Sequence, residues 1–259
     1  MEFDPGFPIA VSTEPMGFQY GEGVCGPEPE LRKLDTIRPS LLDPHCTGPE
    51  NVYCIAMDVA EQRDHPALVE QNLLYGVVTY ARGRLGNEPI RSQGHIHAVS
   101  PSCGASTCEV YEIWDGKACI YMQESGSDDA GRCWAVTGKP GDVIIVPPGW
   151  VHATVNIDPE RSMTFGAWCV RDYGFDYEDV RRHGGIAFFP LLTETNDLTW
   201  KRNPAYTSSE LIQKPARTYE DFGLTPGKPI YQQYRENPRL FDFVTCPLDF
   251  PQLWENYQP

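Results

Sequence analysis

The sequence has no long hydrophobic run: nothing in its 259 residues approaches the about eighteen apolar residues that a membrane-crossing helix needs. Its opening, MEFDPGFPIAVSTEP, has neither a basic start nor a sustained apolar stretch, so it does not read as a secretory leader. Basic residues are scarce, 21 Lys and Arg against 36 Asp and Glu. The resulting net charge of −15 argues against electrostatic binding to nucleic acid or to an anionic membrane. An anionic substrate must then be attracted locally, by a metal ion, a basic side chain or backbone N–H groups. Nine cysteines are scattered as single residues with no C-x-x-C pair, which fits reduced thiols better than a disulfide framework. Neither a P-loop nor a Rossmann glycine fingerprint is present. With 41% hydrophobic and 22% charged residues the composition is that of an ordinary globular chain, expected to be soluble and cytoplasmic.

What is present is a β-rich middle. From Val52 to Val170 short runs such as VYCIAMDVA, LLYGVVTYA, EVYEIW, ACIYMQ, CWAVT, DVIIVP, ATVNI and MTFGAWCV alternate with Gly, Pro and Asp clusters. That texture predicts an all-β antiparallel sandwich or barrel rather than βαβ units. Residues 1–26 read as an arm laid over a neighbouring surface or as disorder, and PELRKLDTIRPSLLD as a short helix or extended arm, since Pro39 breaks its helical spacing. In DYEDVRRHGG, acidic residues early, basic residues late and a following glycine predict a short peripheral helix. Residues 190–259, rich in Pro and aromatics, lack the pattern of a second core. The expected organisation is an N-terminal arm (1–50), a barrel with the site (51–190) and a wrapping C-terminal extension (191–259).

Three segments carry chemistry. In GHIH, residues 94–97, His95 and His97 lie two apart, so on a strand both imidazoles share one face. Alone this is weak, because two histidines in a polar loop match the same pattern without binding anything. In EVYEIWDG, Glu109, Tyr111 and Ile113 share one face, leaving Glu112 on the other, expected in solvent. GDVIIVPPGWVHATVN runs through a Pro-Pro-Gly turn that delivers His152 to the next strand. Three imidazoles and a carboxylate suit one divalent ion, Fe2+, Mn2+, Ni2+ or Zn2+, and ligand type does not choose among them. Cys103 and Cys108 flank the loop AVSPSCGASTC between His97 and Glu109, and could bond to each other or stay incidental thiols.

These segments resemble the two motifs of the cupin superfamily, although the loop after His97 is longer than cupins usually have. With the flanks QGHIHA, EVYEIWDGKA and DYGFDYEDVRRHGG, the chain is similar to the cupin-type glucose-6-phosphate isomerases. The resemblance implies a cupin barrel (double-stranded β-helix, jelly roll) with peripheral short helices and long terminal arms. It also implies one divalent metal per subunit on His95, His97, Glu109 and His152, a sugar-phosphate substrate and a homodimer, while the charge leaves no nucleic-acid or membrane partner to expect. Glu109 would act as a base and Tyr111 would line the sugar. Of two phosphate-binding hydroxyls in the family, Ser92 takes one position; the other aligns with Val78, so the adjoining Thr79 is taken instead. Gly94, Arg171 and Tyr177 complete the expected substrate contacts. Where the family reads YPADAGHDYG this chain reads CVRDYGFDYE, so the family tyrosine is Cys169 and its histidine is Phe175. A cupin oxygenase or decarboxylase, or a noncatalytic sugar-binding cupin, are the rival readings.

Overall fold

The computed structural model describes residues 1–207 and 210–259. All eight β-rich runs form strands. With the shorter strands around them they are β1 (Glu30–Lys33), β2 (Asn51–Met57), β3 (Leu73–Tyr80), β4 (Ile96–His97), β5 (Glu109–Asp115), β6 (Ala118–Gln123), β7 (Cys133–Gly138), β8 (Val143–Val146), β9 (Val151–Asn156), β10 (Met163–Val170), β11 (Phe175–Asp176) and β12 (Leu211–Pro215). One antiparallel sheet has the order β8-β5-β10-β3-β2-β1 and the other β9-β6-β7-β12, in which only the β7–β12 pair is parallel. The short strands β4 and β11 pair with each other, and His95, just before β4, bridges to His152 of β9. This is the cupin jelly roll, all-β with short peripheral helices.

Alternation along each strand decides what faces where. Val78 and Tyr80 of β3, Tyr111 and Ile113 of β5, and Phe165 and Ala167 of β10 join Ile120, Met122 and Ile144 in the interior. The residues between them, Tyr75 and Val77, Val110 and Trp114, and Trp168, point outward into a second apolar layer. On a one-sided antiparallel sheet that outer face would meet water. Here Phe7 and Ile9 from the N-terminus and Tyr219, Phe222, Tyr231, Phe241 and Phe243 from the C-terminal segment cover it. Two-sided burial is why β3 and β10 read as near-continuous apolar runs. At Gly166 a Cβ would collide with both Tyr75 and Trp114, so only glycine lets those rings close over β10.

Residues 1–26 form a hairpin, Ile9–Thr13 paired with Met16–Tyr20, followed by a short strand at Val24–Cys25. The segment from Pro29 to Asp43 holds both of its expected forms, first β1 and then a helical turn at Leu34–Ile37 that passes into a 3-10 turn at Arg38–Ser40 containing Pro39. DYEDVRRHGG yields helix α1 (Glu178–Arg182). After β12 the chain continues through short helices, among them α2 (Ile230–Glu236), across the outer face. Strands β1 and β12, from the two expected arms, are built into the main sheets.

Glu112 corrects the expectation of a solvent-facing side chain. It is fully buried beneath the C-terminal segment, where it accepts the Ile230 backbone N–H at 2.7 Å and the Trp114 indole N–H at 3.0 Å. Burial pushes its carboxyl up to about 8 against those two donors. No disulfide joins any cysteine among the described residues, Cys103 and Cys108 included. Nor is any helix among them long and apolar enough to cross a membrane.

Candidate metal centre

His95, His97, Glu109 and His152 converge on one point, each offering a ligand atom within 4.8 Å of the others. Donors about 2.0–2.2 Å from a common ion fall within that spread. Backbone pairing builds the cluster: His95 N–H donates to the His152 carbonyl at 3.1 Å and His152 N–H to the His95 carbonyl at 2.9 Å. The rings of His95 and His152 stand 4.2 Å apart, and those of His97 and His152 5.0 Å. Glu109 reaches them from β5, in the opposite sheet, with its Oε2 3.1 Å from His152 Nε2 and 3.4 Å from His97 Nε2.

The outer nitrogens decide the tautomers. His97 Nδ1 lies 3.1 Å from the Thr107 carbonyl and His152 Nδ1 3.2 Å from the Trp150 carbonyl. A carbonyl only accepts, so each Nδ1 carries a proton, and each Nε2 faces Glu109, donating to it where the imidazole is charged and offering a lone pair where it is neutral. His95 Nε2 is buried with no hydrogen-bond partner. Lone pairs and a carboxylate facing one another repel unless a cation sits between them, so the residues present fit a divalent ion. Burial would push Glu109 up, but with protons on the His152 and His97 Nε2 atoms in place of an ion, their hydrogen bonds to its Oε2 hold it well below the usual carboxylate range. Burial and the neighbouring histidines push His95 well down, and burial lowers His152. Neutral imidazoles with an ionised carboxylate are the protonation states that metal binding requires.

The long loop between His97 and Glu109 supports this geometry. It folds on itself through Ser100 and Ala105, and Ser106 Oγ donates to the His97 carbonyl at 2.7 Å while accepting Gly149 N–H at 3.0 Å. Asp172 pins its tip, accepting Ser100 Oγ at 2.7 Å, Ser102 N–H at 3.0 Å and Asn72 Nδ2 at 3.1 Å.

The cluster opens into a cavity between the sheets. Tyr111, Ser92 and Tyr177 line it, with Ile55, Met57, Val78, Phe165 and Ala167 as apolar wall and Phe175 as a ring 4.6 Å from that of His95. Tyr111 donates its hydroxyl to Glu109 Oε2 at 2.7 Å. Ser92 Oγ accepts Thr154 N–H at 3.0 Å, which leaves its own proton to donate.

Three expected contacts stand outside this wall. Thr79 lies on the opposite face of β3 from Val78 and Tyr80, bonded to Thr164 at 2.9 Å. Arg171 is tied to Asp58 at 2.7 Å and to the Leu73 carbonyl at 3.0 Å. Gly94 has a φ of +92°, and a Cβ there would strike Ile186. Sequence reasoning missed Arg32, Tyr53 and Gln93, which do line the cavity. For Tyr53 a signal existed, since it alternates with Ile55 and Met57 in VYCIAM.

Fold and cluster together define a cupin with a three-histidine, one-glutamate centre. Residues 43–209 match the glucose-6-phosphate isomerase family (GPI), and the chain belongs to that family. It is 30% identical over 190 residues to glucose-6-phosphate isomerase of Pyrococcus horikoshii, covering 71% of this chain and 92% of that one. The Pyrococcus furiosus enzyme of the same name is 32% identical over 127 residues, 49% of this chain, and the chain spans only 60% of that relative's length. Among solved structures, an oxalate oxidase aligns at 12% identity with a TM-score of 0.36, covering 50% of this chain and 56% of that one, too distant to carry an argument.

Proposed function

We propose that this chain interconverts glucose 6-phosphate and fructose 6-phosphate, with one divalent metal ion held by His95, His97, Glu109 and His152. The observation that carries the reading is the cluster itself: three imidazoles and a carboxylate whose ligand atoms converge on one point, in the wall of a cavity lined by hydroxyls. Aldose–ketose isomerisation moves a hydrogen between C1 and C2, and a bound divalent ion polarises the oxygens on those carbons.

The chain's own groups divide the remaining work. Glu109 Oε2 is taken up by His97, His152 and Tyr111, while Oε1 makes no hydrogen bond among the described residues. Oε1 is thus the atom that takes the C2 proton on an enediol route. Burial and the adjacent Glu109 push the Tyr111 hydroxyl well up, so it keeps its proton and steadies the carboxylate. Ser92 donates to a sugar oxygen. Phe175 gives the pocket an apolar ring beside His95 and moves no proton. A hydride shift would leave Glu109 as ligand alone, and loss of a C2 deuterium label to solvent separates the two routes.

The deciding experiment reloads purified protein separately with Fe2+, Mn2+, Ni2+ and Zn2+ and follows both sugar phosphates. H152A and E109A are expected to lose metal and turnover together; full isomerase activity in a metal-free variant would sink the mechanism. Oxygen uptake with a small acid, without sugar conversion, would favour the oxygenase reading, and tight sugar-phosphate binding without turnover the noncatalytic one.

A further inference from the structure

Among the described residues the cavity wall holds one arginine or lysine, Arg32, and it comes from the edge strand β1, remote in sequence from the metal ligands. Arg32 pairs in register with Tyr53 of β2, so both side chains lie on the cavity side of the sheet. Tyr53 is held by stacking on Tyr80, with ring centroids 4.8 Å apart and planes within 16°. The guanidinium makes no hydrogen bond among the described residues. Its one ion pair is with Glu30 at 3.1 Å, a side chain 69% exposed, and such a pair contributes little in water. Most of the five N–H donors are therefore uncommitted. The nearby cations are already engaged: Arg171 by Asp58, and Arg181 by the Gln93 side-chain carbonyl at 3.0 Å and the Tyr177 ring at 5.1 Å.

The two ends of the cavity are joined by Tyr177. Its ring lies 5.9 Å from that of His95, and it shares the cavity wall with Arg32. Arg32 and the ligands His95, His97 and Glu109 line one cavity, so a single molecule can meet both. In the same wall Val78, Ile55, Met57 and Phe165 offer an anion nothing, while the Ser92 hydroxyl is a neutral donor. Gln93, whose carbonyl is taken by Arg181, has its amide N–H groups left to donate.

We propose that Arg32 is the anion grip of this cavity: the substrate is a sugar phosphate whose phosphate sits at Arg32, with Tyr53 and the Gln93 amide, while its carbonyl end lies at the histidine–glutamate cluster. This rests on the isomerase reading for the sugar, but not for the anion. A guanidinium fork matches phosphate geometry, and in a chain of net charge −15 a local cation is what admits a dianion.

Calorimetric titration of the metal-loaded, full-length protein tests it, first with inorganic phosphate and then with sorbitol 6-phosphate, an open-chain polyol phosphate that cannot isomerise. R32Q is expected to weaken both by about tenfold or more, R32K to recover part of the loss, and K33Q to bind like the unmodified protein. Lys33 is the adjoining cation, paired outside with Glu50, so K33Q controls for net charge. In turnover, R32Q raises KM more than it lowers kcat. Phosphate binding that is absent from the unmodified protein, unchanged in R32Q, or equally lost in K33Q overturns the grip. Phosphate that depends on Arg32, with sorbitol 6-phosphate no tighter than phosphate, upholds the grip and removes the sugar reading instead. Equal melting temperatures and metal contents of the variants exclude misfolding, and R32K preserves the test if R32Q fails to fold.

Discussion

In the proposed reaction Glu109 has two jobs, metal ligand and base, and Tyr111 is the residue that keeps them compatible. Its hydroxyl donates to Oε2, the atom already facing two imidazoles, and so leaves Oε1 open to the cavity. Tyr111→Phe deletes that one donor without emptying the site. We expect metal content near that of the unmodified protein and kcat reduced by about tenfold, the cost of one charge-assisted hydrogen bond. Loss of metal in step with activity would mean that Tyr111 holds the cluster together rather than tuning it. At this scale the sequence made the four ligands legible, because period two relates His95 to His97 and a Pro-Pro-Gly turn aims His152. The same period explains the error at Thr79: one residue along a strand reverses the face, and Val78 takes the inward position. Arg32 was not legible at all, since its place depends on the long-range register of β1 on β2.

Among elements, the loop from Ala98 to Cys108 does more than bridge two ligand strands. Its Thr107 carbonyl fixes the tautomer of His97 and its Ser106 hydroxyl ties the His97 backbone to the Pro-Pro-Gly turn. Asp172, just after β10, fastens the loop from outside through two of its donors, Ser100 Oγ and Ser102 N–H, and is itself held by Asn72. Burial would push this carboxyl up, but those hydrogen bonds hold it below its ordinary value. Asp172→Ala releases the loop without touching a ligand. Outer partners of metal-bound histidines are worth about 10–100-fold in affinity, so we expect about tenfold weaker metal binding, measured by chelator competition. Unchanged affinity would show that β4 and β5 orient His97 unaided. The eight main strands were readable from their runs and turns, whereas the loop's path was not, because its anchors lie up to 72 positions away along the chain.

For the molecule as a whole, the C-terminal segment turns a one-sided sheet into a buried layer, and Glu112 records that change. Nothing in EVYEIW announces it, since alternation places Glu112 opposite the metal face and only the covering chain decides between water and burial. Burial makes the folded protein hold this proton up to about pH 8, while the unfolded chain releases it near the ordinary 4.5. Between those values the folded state binds more protons, so this contribution to stability is full below about 4.5 and is lost as pH rises through about 8. Carboxylates such as Asp58 and Glu61, which burial would raise but arginine partners hold below their ordinary values, act in the opposite sense at acid pH. Comparison with E112Q isolates the one titration, because every other group is common to both proteins. The glutamine also loses an acceptor for one of two N–H donors, which offsets the curves but does not tilt them with pH. The melting temperature of E112Q minus that of the unmodified protein is expected to rise by at least about 2–4 °C between about pH 5 and pH 9, corresponding to about 1 kcal/mol for a chain of this size. A difference that stays level across that range would place the Glu112 proton with the ordinary carboxylates and leave the extension's contact there independent of charge.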